Sequence, residues 1–162
     1  MYINSHLEDY IKDLYLNIGI KNPGKLNQHT IARRLNIWLY PFNGPSEAIY
    51  SNGRQYIFLN RNLTPQEQWQ EFAHELCHIL RHSGNQKKMA RLFLEYQEWQ
   101  ADSFASHFCI PTFMLRRLEL PQDRQKAVWK IQQTFNVTNE FAELRLKMYE
   151  NKVYSGVFYR WI

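Results

Sequence analysis

Two histidines four residues apart enclose a glutamate in the stretch His74-Glu75-Leu76-Cys77-His78. On a helix, residues four apart lie about 40° apart around the axis and one turn along it, so both imidazoles reach one ion. Glu75 lies beside that face and can accept a proton from a metal-held water. With six His and eleven Glu in 162 residues, chance alone yields an H-E-x-x-H in roughly 1–2% of chains. The surroundings therefore have to support the reading, and they do. Thr64-Pro65-Gln66-Glu67 joins a capping residue, a proline at the first helical position and the glutamate of a capping box. Trp69, Phe72, Ala73, Leu76, Cys77 and Leu80 then recur as an apolar stripe. With Trp69 as zero, the stripe centres near 0–20°, while His74 falls at about 140° and His78 at about 180°. Both histidines are thus predicted off the core side, displayed together.

A peptidase zinc site needs a third protein ligand and one open position. The best candidate is Glu98, in Glu98-Trp99-Gln100-Ala101-Asp102. Glu98 and Asp102 are one turn apart on a helix predicted over 95–109. Glu98 can bind the metal while Asp102 accepts the N–H of a ligating imidazole. Ala101, Phe104, Ala105 and Phe108 would pack this helix on the first, and two carboxylates in such an apolar helix are expensive unless paired or metal-bound. The competing ligands fit less well. His107 is nine residues past Glu98 and points to the other side of the helix. His82 lies too far along the axis to share an ion with His74. Cys77 sits at the edge of the stripe and reads as a small core residue.

The elements around the motif predict an α+β fold, mostly helical, with a small sheet of about three strands beside the H-E-x-x-H helix. Residues 5–16 and 26–35 have helical spacing, separated by the break Asn22-Pro23-Gly24. Ile37–Phe42 is a dense apolar run that reads as a strand. Ala48–Tyr50 and Tyr56–Leu59 flank Asn52-Gly53, a type I′ hairpin signal. The stretch Tyr56–Asn60 is the predicted edge strand, able to hold an extended substrate by strand addition. Ser83-Gly84 should end the motif helix. Short helices are predicted near 112–119, 123–134 and 138–149, and the aromatic tail from Val153 to Ile162 as a strand or clasp. The whole reads as a single domain, 1–162, with a catalytic core over 25–110 and a helical segment over 111–162.

Composition narrows the remaining classes. Hydrophobic residues make up 44% and charged residues 22%, which excludes wholesale disorder. Two cysteines, Cys77 and Cys109, are too few for a disulfide scaffold and suggest a reducing compartment. No run approaches the ~20 apolar residues of a membrane span. The first residues, with Glu8, Asp9 and Asp13, lack the layout of a signal peptide, so a cytoplasmic location is expected. The net charge of +5 belongs to residues 81–162, with thirteen Lys/Arg against eight Asp/Glu; residues 1–80 hold seven of each. A basic half attracts nucleic acid or an acidic partner. Residues 127–146 have a helix-turn-helix look, with a break at Asn136 and Thr138 as cap. The alternative to a peptidase is therefore a DNA-binding or regulatory metal-binding protein without peptidase activity. A helix pair packed on a catalytic core is the preferred reading, with nucleic acid not favoured.

The sequence resembles the ImmA/IrrE family of metallopeptidases. The resemblance rests on Phe72 to Leu80, then Glu98-Trp99-Gln100-Ala101-Asp102-Ser103-Phe104-Ala105, then Ile110-Pro111, and it extends over about residues 25–149. Cys77 stands where the family pattern has Gly. The resemblance implies a zincin-like fold and a gluzincin-like site. His74, His78 and Glu98 would be zinc ligands and Glu75 the base. It also implies a substrate, the helix-turn-helix repressor of a phage or mobile element. The oxyanion donor stays open, with Tyr96 and His82 as candidates.

Overall fold

The computed structural model describes residues 2–81 and 90–158, with the side chains of 156–158 left aside. The chain divides into two compact units, Leu26–Cys109 and Met1–Lys25 with Ile110–Ile162. No described helix is long and apolar enough to cross a membrane. The architecture is α+β and mostly helical, with one three-stranded sheet.

After the N-terminal α1 (His6–Asn17) of the other unit, the unit Leu26–Cys109 opens with α2 (Gln28–Arg34). Asn27 caps α2, its side chain accepting the Thr30 N–H at 3.0 Å, and Ile31 and Ala32 are buried. Strands β1 (Ile37–Phe42), β2 (Glu47–Ser51) and β3 (Arg54–Asn60) follow. Asn52 and Gly53 have φ of 50° and 75°, the paired positive values that a type I′ turn requires. The sheet order is β1-β3-β2, with β3 parallel to β1 and antiparallel to β2. This corrects one expectation: Tyr56–Asn60 is the central strand, not an edge. A hairpin defines which strands are adjacent, but β1 takes the far side of β3 through its parallel pairing, which leaves β2 as the outer member of the hairpin.

Helix α3 (Pro65–Arg81) begins with the anticipated capping box. The Glu67 N–H donates to Thr64 Oγ1 at 3.3 Å, and the Thr64 N–H donates back to Glu67 Oε2 at 2.8 Å. Thr64→Ala is expected to lower unfolding free energy by about 1 kcal/mol, read from urea denaturation midpoints. The end expected at Ser83-Gly84 lies outside the described residues. Helix α4 (Arg91–Cys109) starts a turn earlier than its periodicity suggested, supported by an Arg91–Glu95 ion pair at 2.8 Å. It stops before Pro111, whose ring disfavours helix in the preceding residue. Trp69, Phe72, Leu76 and Cys77 of α3 and Ala101, Phe104, Ala105 and Phe108 of α4 form the buried core of this unit. Trp69 stacks on Phe72 and lies 5.7 Å from Phe108, centroid to centroid.

The other unit is helical. Its α1 carries a Ser5/Glu8 capping box and buries Ile11 and Tyr15. Helices α5 (Thr112–Leu115), α6 (Arg124–Phe135) and α7 (Asn139–Phe158) complete it. Helix α5 is shorter than expected because its end tightens into i→i−3 bonds, Arg117 N–H to Met114 O and Leu118 N–H to Leu115 O, a frequent way to finish a helix. The expected strand or clasp from Val153 is instead helix through Phe158; residues 159–162 lie outside the described part. Extending a formed helix adds one hydrogen bond per residue fixed, whereas an isolated strand gains none without a partner.

The acid of the first capping box does more than cap. Glu8 is buried and accepts from the Ser5 N–H at 2.6 Å and from Thr112 Oγ1 at 2.6 Å, and also from Tyr2 Oη and Lys152 Nζ. Thr112 Oγ1 in turn accepts from Arg145 Nη2 at 2.7 Å, and Arg145 Nε donates to the Ile110 carbonyl at 3.3 Å. Arg145 is itself fully buried. Burial alone would raise the Glu8 pKa; the donors, Lys152 foremost, overcome it and hold the carboxyl at about 2. Helices α1, α5 and α7 are thus tied through one carboxylate.

Candidate metal centre

The apolar stripe of α3 faces α4 and leaves His74 and His78 on its flank, 20% and 11% exposed. Glu98 of α4 comes to the same flank. His74 Nε2 lies 3.1 Å from Glu98 Oε2, and His78 Nε2 lies 3.4 Å from Glu98 Oε1. The two imidazole Nε2 atoms are 3.2 Å apart, with ring planes at 64°. One ligand atom from each of the three residues falls within 4.8 Å of the others, and among the described residues no further His/Cys/Asp/Glu group of this kind occurs. Asp102, one turn beyond Glu98, places Oδ1 2.9 Å from His74 Nδ1.

These distances carry a chemical consequence. A carboxylate only accepts, so the Asp102 contact puts the His74 proton on Nδ1. With no second proton on the ring, Nε2 presents a lone pair. It faces a Glu98 oxygen and the His78 Nε2, both within about 3.2 Å. Convergent acceptors repel unless a proton or a cation lies among them. Two imidazoles and a carboxylate are the nitrogen and oxygen donors that zinc accepts at about 2.0–2.2 Å. The donor set therefore fits such an ion.

Glu75 is buried on the side of α3 nearer the sheet, and the Ala48 backbone N–H on β2 hydrogen-bonds its carboxylate. Burial pushes its carboxyl up to about 7, against the pull of His74 and of the Ala48 N–H. Ala48 went unnoticed in the sequence because its contribution is a backbone donor, and no residue type signals which strand borders the motif helix.

His107 turns to its own helix, with Nδ1 2.8 Å from the Ser103 carbonyl. Cys77 is fully buried against α4, its Sγ 3.9 Å from the Gln100 carbonyl, and burial pushes its thiol up to about 12. Tyr96 accepts a hydrogen bond from Gln100 Nε2 at 3.0 Å and stacks on Trp99. Two residues from Glu98 on a helix, it lies about 160° around the axis from it. His82 lies outside the described residues.

Part of the basic half is engaged within the helical unit. Arg124 pairs with Glu143 at 3.7 Å and Glu150 at 2.6 Å, Lys152 reaches Glu8, and Arg145 is interior. The second helix of the helix-turn-helix look, α7, opens with Asn139 and Glu140 and carries Glu143 and Glu150. Acidic side chains there repel phosphates, which disfavours that helix as a groove reader.

Comparison with known proteins agrees with this picture. The profile of a peptidase family, M78, described as the IrrE N-terminal-like domain, matches residues 32–147. The phage-like element PBSX protein XkdA of Bacillus subtilis (strain 168) is 46% identical over 148 residues, covering 91% of this chain and 75% of that protein. The uncharacterized protein YqaB of the same strain is 41% identical over 157 residues, covering 97% and 91%. Among solved structures, a Mycobacterium tuberculosis transcriptional regulator superposes with a TM-score of 0.60 at 15% identity over 87% of this chain. This chain spans 46% of that regulator, and at such identity the likeness is one of fold.

Proposed function

Because the chain belongs to the IrrE N-terminal-like peptidase family, we propose that it is a zinc-dependent metalloendopeptidase. Its proposed substrate is a helix-turn-helix transcriptional repressor of a phage or mobile element. The observation that carries the chemistry is the convergence of His74, His78 and Glu98, with Asp102 behind His74. The mobile-element reading draws support from the phage-like element protein among its relatives.

In this reading His74, His78 and Glu98 hold the ion, which supplies Lewis acidity that acidifies water and polarises a carbonyl. Asp102 keeps the His74 proton on Nδ1 and so keeps Nε2 free as a donor atom. Glu75 takes the proton of the attacking water and passes it to the leaving amine. The Ala48 N–H orients that carboxylate. Strand β2, on the outside of the hairpin, is the rim to which an extended substrate segment adds, in place of the central Tyr56–Asn60.

The test is metal per chain by elemental mass spectrometry, for wild type and Glu98→Ala. About one zinc per wild-type chain, lost or much weakened in the variant, is the expected result. A zinc-reconstituted wild type without metal would overturn the reading. Asp102→Asn is expected to weaken zinc binding about 10–100-fold, measured by competition with a chromophoric chelator. Bound metal without cleavage of any helix-turn-helix repressor tested, in purified form or in cell extract, would instead favour a regulatory metal-binding protein.

A further inference from the structure

The two-residue turn Asn52-Gly53 fixes which backbone groups of β2 face outward. In such a hairpin the residues flanking the turn exchange both N–H···O=C bonds, and hydrogen-bonded and non-hydrogen-bonded pairs then alternate. Ser51 stands opposite Arg54, Ile49 opposite Tyr56 and Glu47 opposite Phe58, so these three residues bond to β3. Ala48 and Tyr50 stand opposite Ile57 and Gln55 and turn their N–H and C=O the other way. That side is the free edge, since β2 ends the order β1-β3-β2. The Ala48 N–H fits the alternation, for it donates to the Glu75 carboxylate. Of the two outward positions of β2, Tyr50 keeps both backbone groups open; neither is hydrogen-bonded among the described residues.

Residues directly opposite in an antiparallel pair share a face of the sheet, and successive residues alternate. Ala48 and Tyr50 therefore share the face of the buried Ile57 and Leu59. Trp38, Tyr40 and Phe42 of β1 and Tyr56 and Phe58 of β3 stand on the opposite, outer face, with Trp38, Tyr40 and Phe42 exposed. Although Tyr50 is on the inner face, its side chain is 74% exposed, with no ring or hydrogen-bond partner among the described residues. An open strand edge is a template for one more strand. An exposed ring beside it is covered by the side chain that such a strand brings to the same face. An extended peptide supplies both at once.

We propose that Tyr50 sets the register and specificity of the substrate: an extended peptide pairs antiparallel with β2, one of its residues exchanges both backbone bonds with Tyr50, and that residue's apolar side chain packs on the Tyr50 ring. Antiparallel pairing is the geometry in which a single residue satisfies both groups. It sets the residue two further toward the peptide's C-terminus opposite Ala48, about 7 Å along the strand. There the outward donor is already held by Glu75, so the peptide bond at that level lies beside the base. The residue on Tyr50 is thus the second or third on the N-terminal side of the cut bond. Cleavage beside Glu75 rests on the peptidase reading; the free edge and the bare ring at Tyr50 do not.

The test incubates a synthetic library of random decapeptides with the zinc-loaded full chain and sequences the new termini by mass spectrometry. Wild type is expected to enrich apolar residues about threefold at the second or third position N-terminal to the cut. Tyr50→Ala should flatten that position alone. It should also raise KM for the best-cut peptide about tenfold with kcat nearly unchanged, the mark of lost binding rather than lost chemistry. Tyr50→Phe keeps the ring and should keep both. Tyr50→Pro removes the outward N–H without touching the ladder to β3, a substitution that edge strands tolerate; it should fold, hold zinc and raise KM. Ile49→Pro, which removes a bond to β3, should instead lower the urea midpoint. The same library is passed over immobilised Glu75→Gln, and the retained peptides are sequenced. An unchanged preference in Tyr50→Ala, or enrichment only on the C-terminal side of the cut, would overturn the role of Tyr50 and leave the peptidase standing. Retention of apolar-bearing peptides that Tyr50→Ala abolishes in the same background, without cutting by wild type, would keep Tyr50 as the anchor and overturn the peptidase reading. Neither retention nor cutting would overturn both.

Discussion

Glu75→Gln is expected to keep its zinc and lose turnover by about two to four orders of magnitude, the range that positioned acid–base catalysis contributes. The substitution preserves shape and still lets the side-chain oxygen accept from the Ala48 N–H. It removes only the capacity to take a proton. Metal content by elemental mass spectrometry and cleavage of the repressor therefore separate: the first should match wild type and the second should collapse. Glu98→Ala should fail in both. Turnover at the wild-type rate in Glu75→Gln would remove Glu75 as the base while leaving the ligand set standing.

Glu8→Gln is expected to cost about 3–5 kcal/mol of folding free energy, because it leaves Arg145 and Lys152 without their counter-charge. The side chain is almost wholly buried, at 1% exposure, so solvent does little to screen the loss. The effect has a pH signature. The folded pKa of Glu8 is depressed to about 2, below the ~4.3 of a free glutamate. Its contribution is therefore complete above pH 4.3 and is lost as pH falls through 2. Two pKa units correspond to about 3 kcal/mol. Urea midpoints should fall between pH 6 and pH 3 in wild type by more than in Glu8→Gln, which has already lost the interaction. A variant with the wild-type midpoint at pH 6 would show that the network is not stabilising.

Both predictions involve residues that the sequence presents very differently. Glu75 stands in a motif whose spacing mirrors the helical repeat, and the apolar stripe of α3 sets its rotation independently. Glu8 looks like an ordinary acid in a first helical turn. Its partners Thr112, Arg145 and Lys152 lie more than a hundred residues away in sequence, and no local pattern announces them.

The local elements were legible for the same reason as the motif. The Thr64/Glu67 box and the Asn52-Gly53 turn depend on contacts within a few residues, so their physics is contained in short windows of sequence; the Ile37–Phe42 strand was legible from its dense apolar run, though its pairing is with the distant β3. The α+β class followed from them. Glu98 and Asp102 were legible as a pair because one helical turn puts them on one face of α4; both are exposed in the fold, so the expected cost of burying them is not what marks them. Tertiary structure alone decided the rest. The order β1-β3-β2 arises from a parallel pairing between strands that are not consecutive, and strand periodicity carries no information about which neighbour a strand takes. That order made β2 the rim beside the motif helix and brought the Ala48 N–H to Glu75. It also gathered rings from β1 and β3 into one exposed face, where the sequence shows only two separate aromatic strands. Side-chain type and spacing determine what a residue can do and which side of its own element it occupies; what lies across from it is set by the packing of elements distant in the chain.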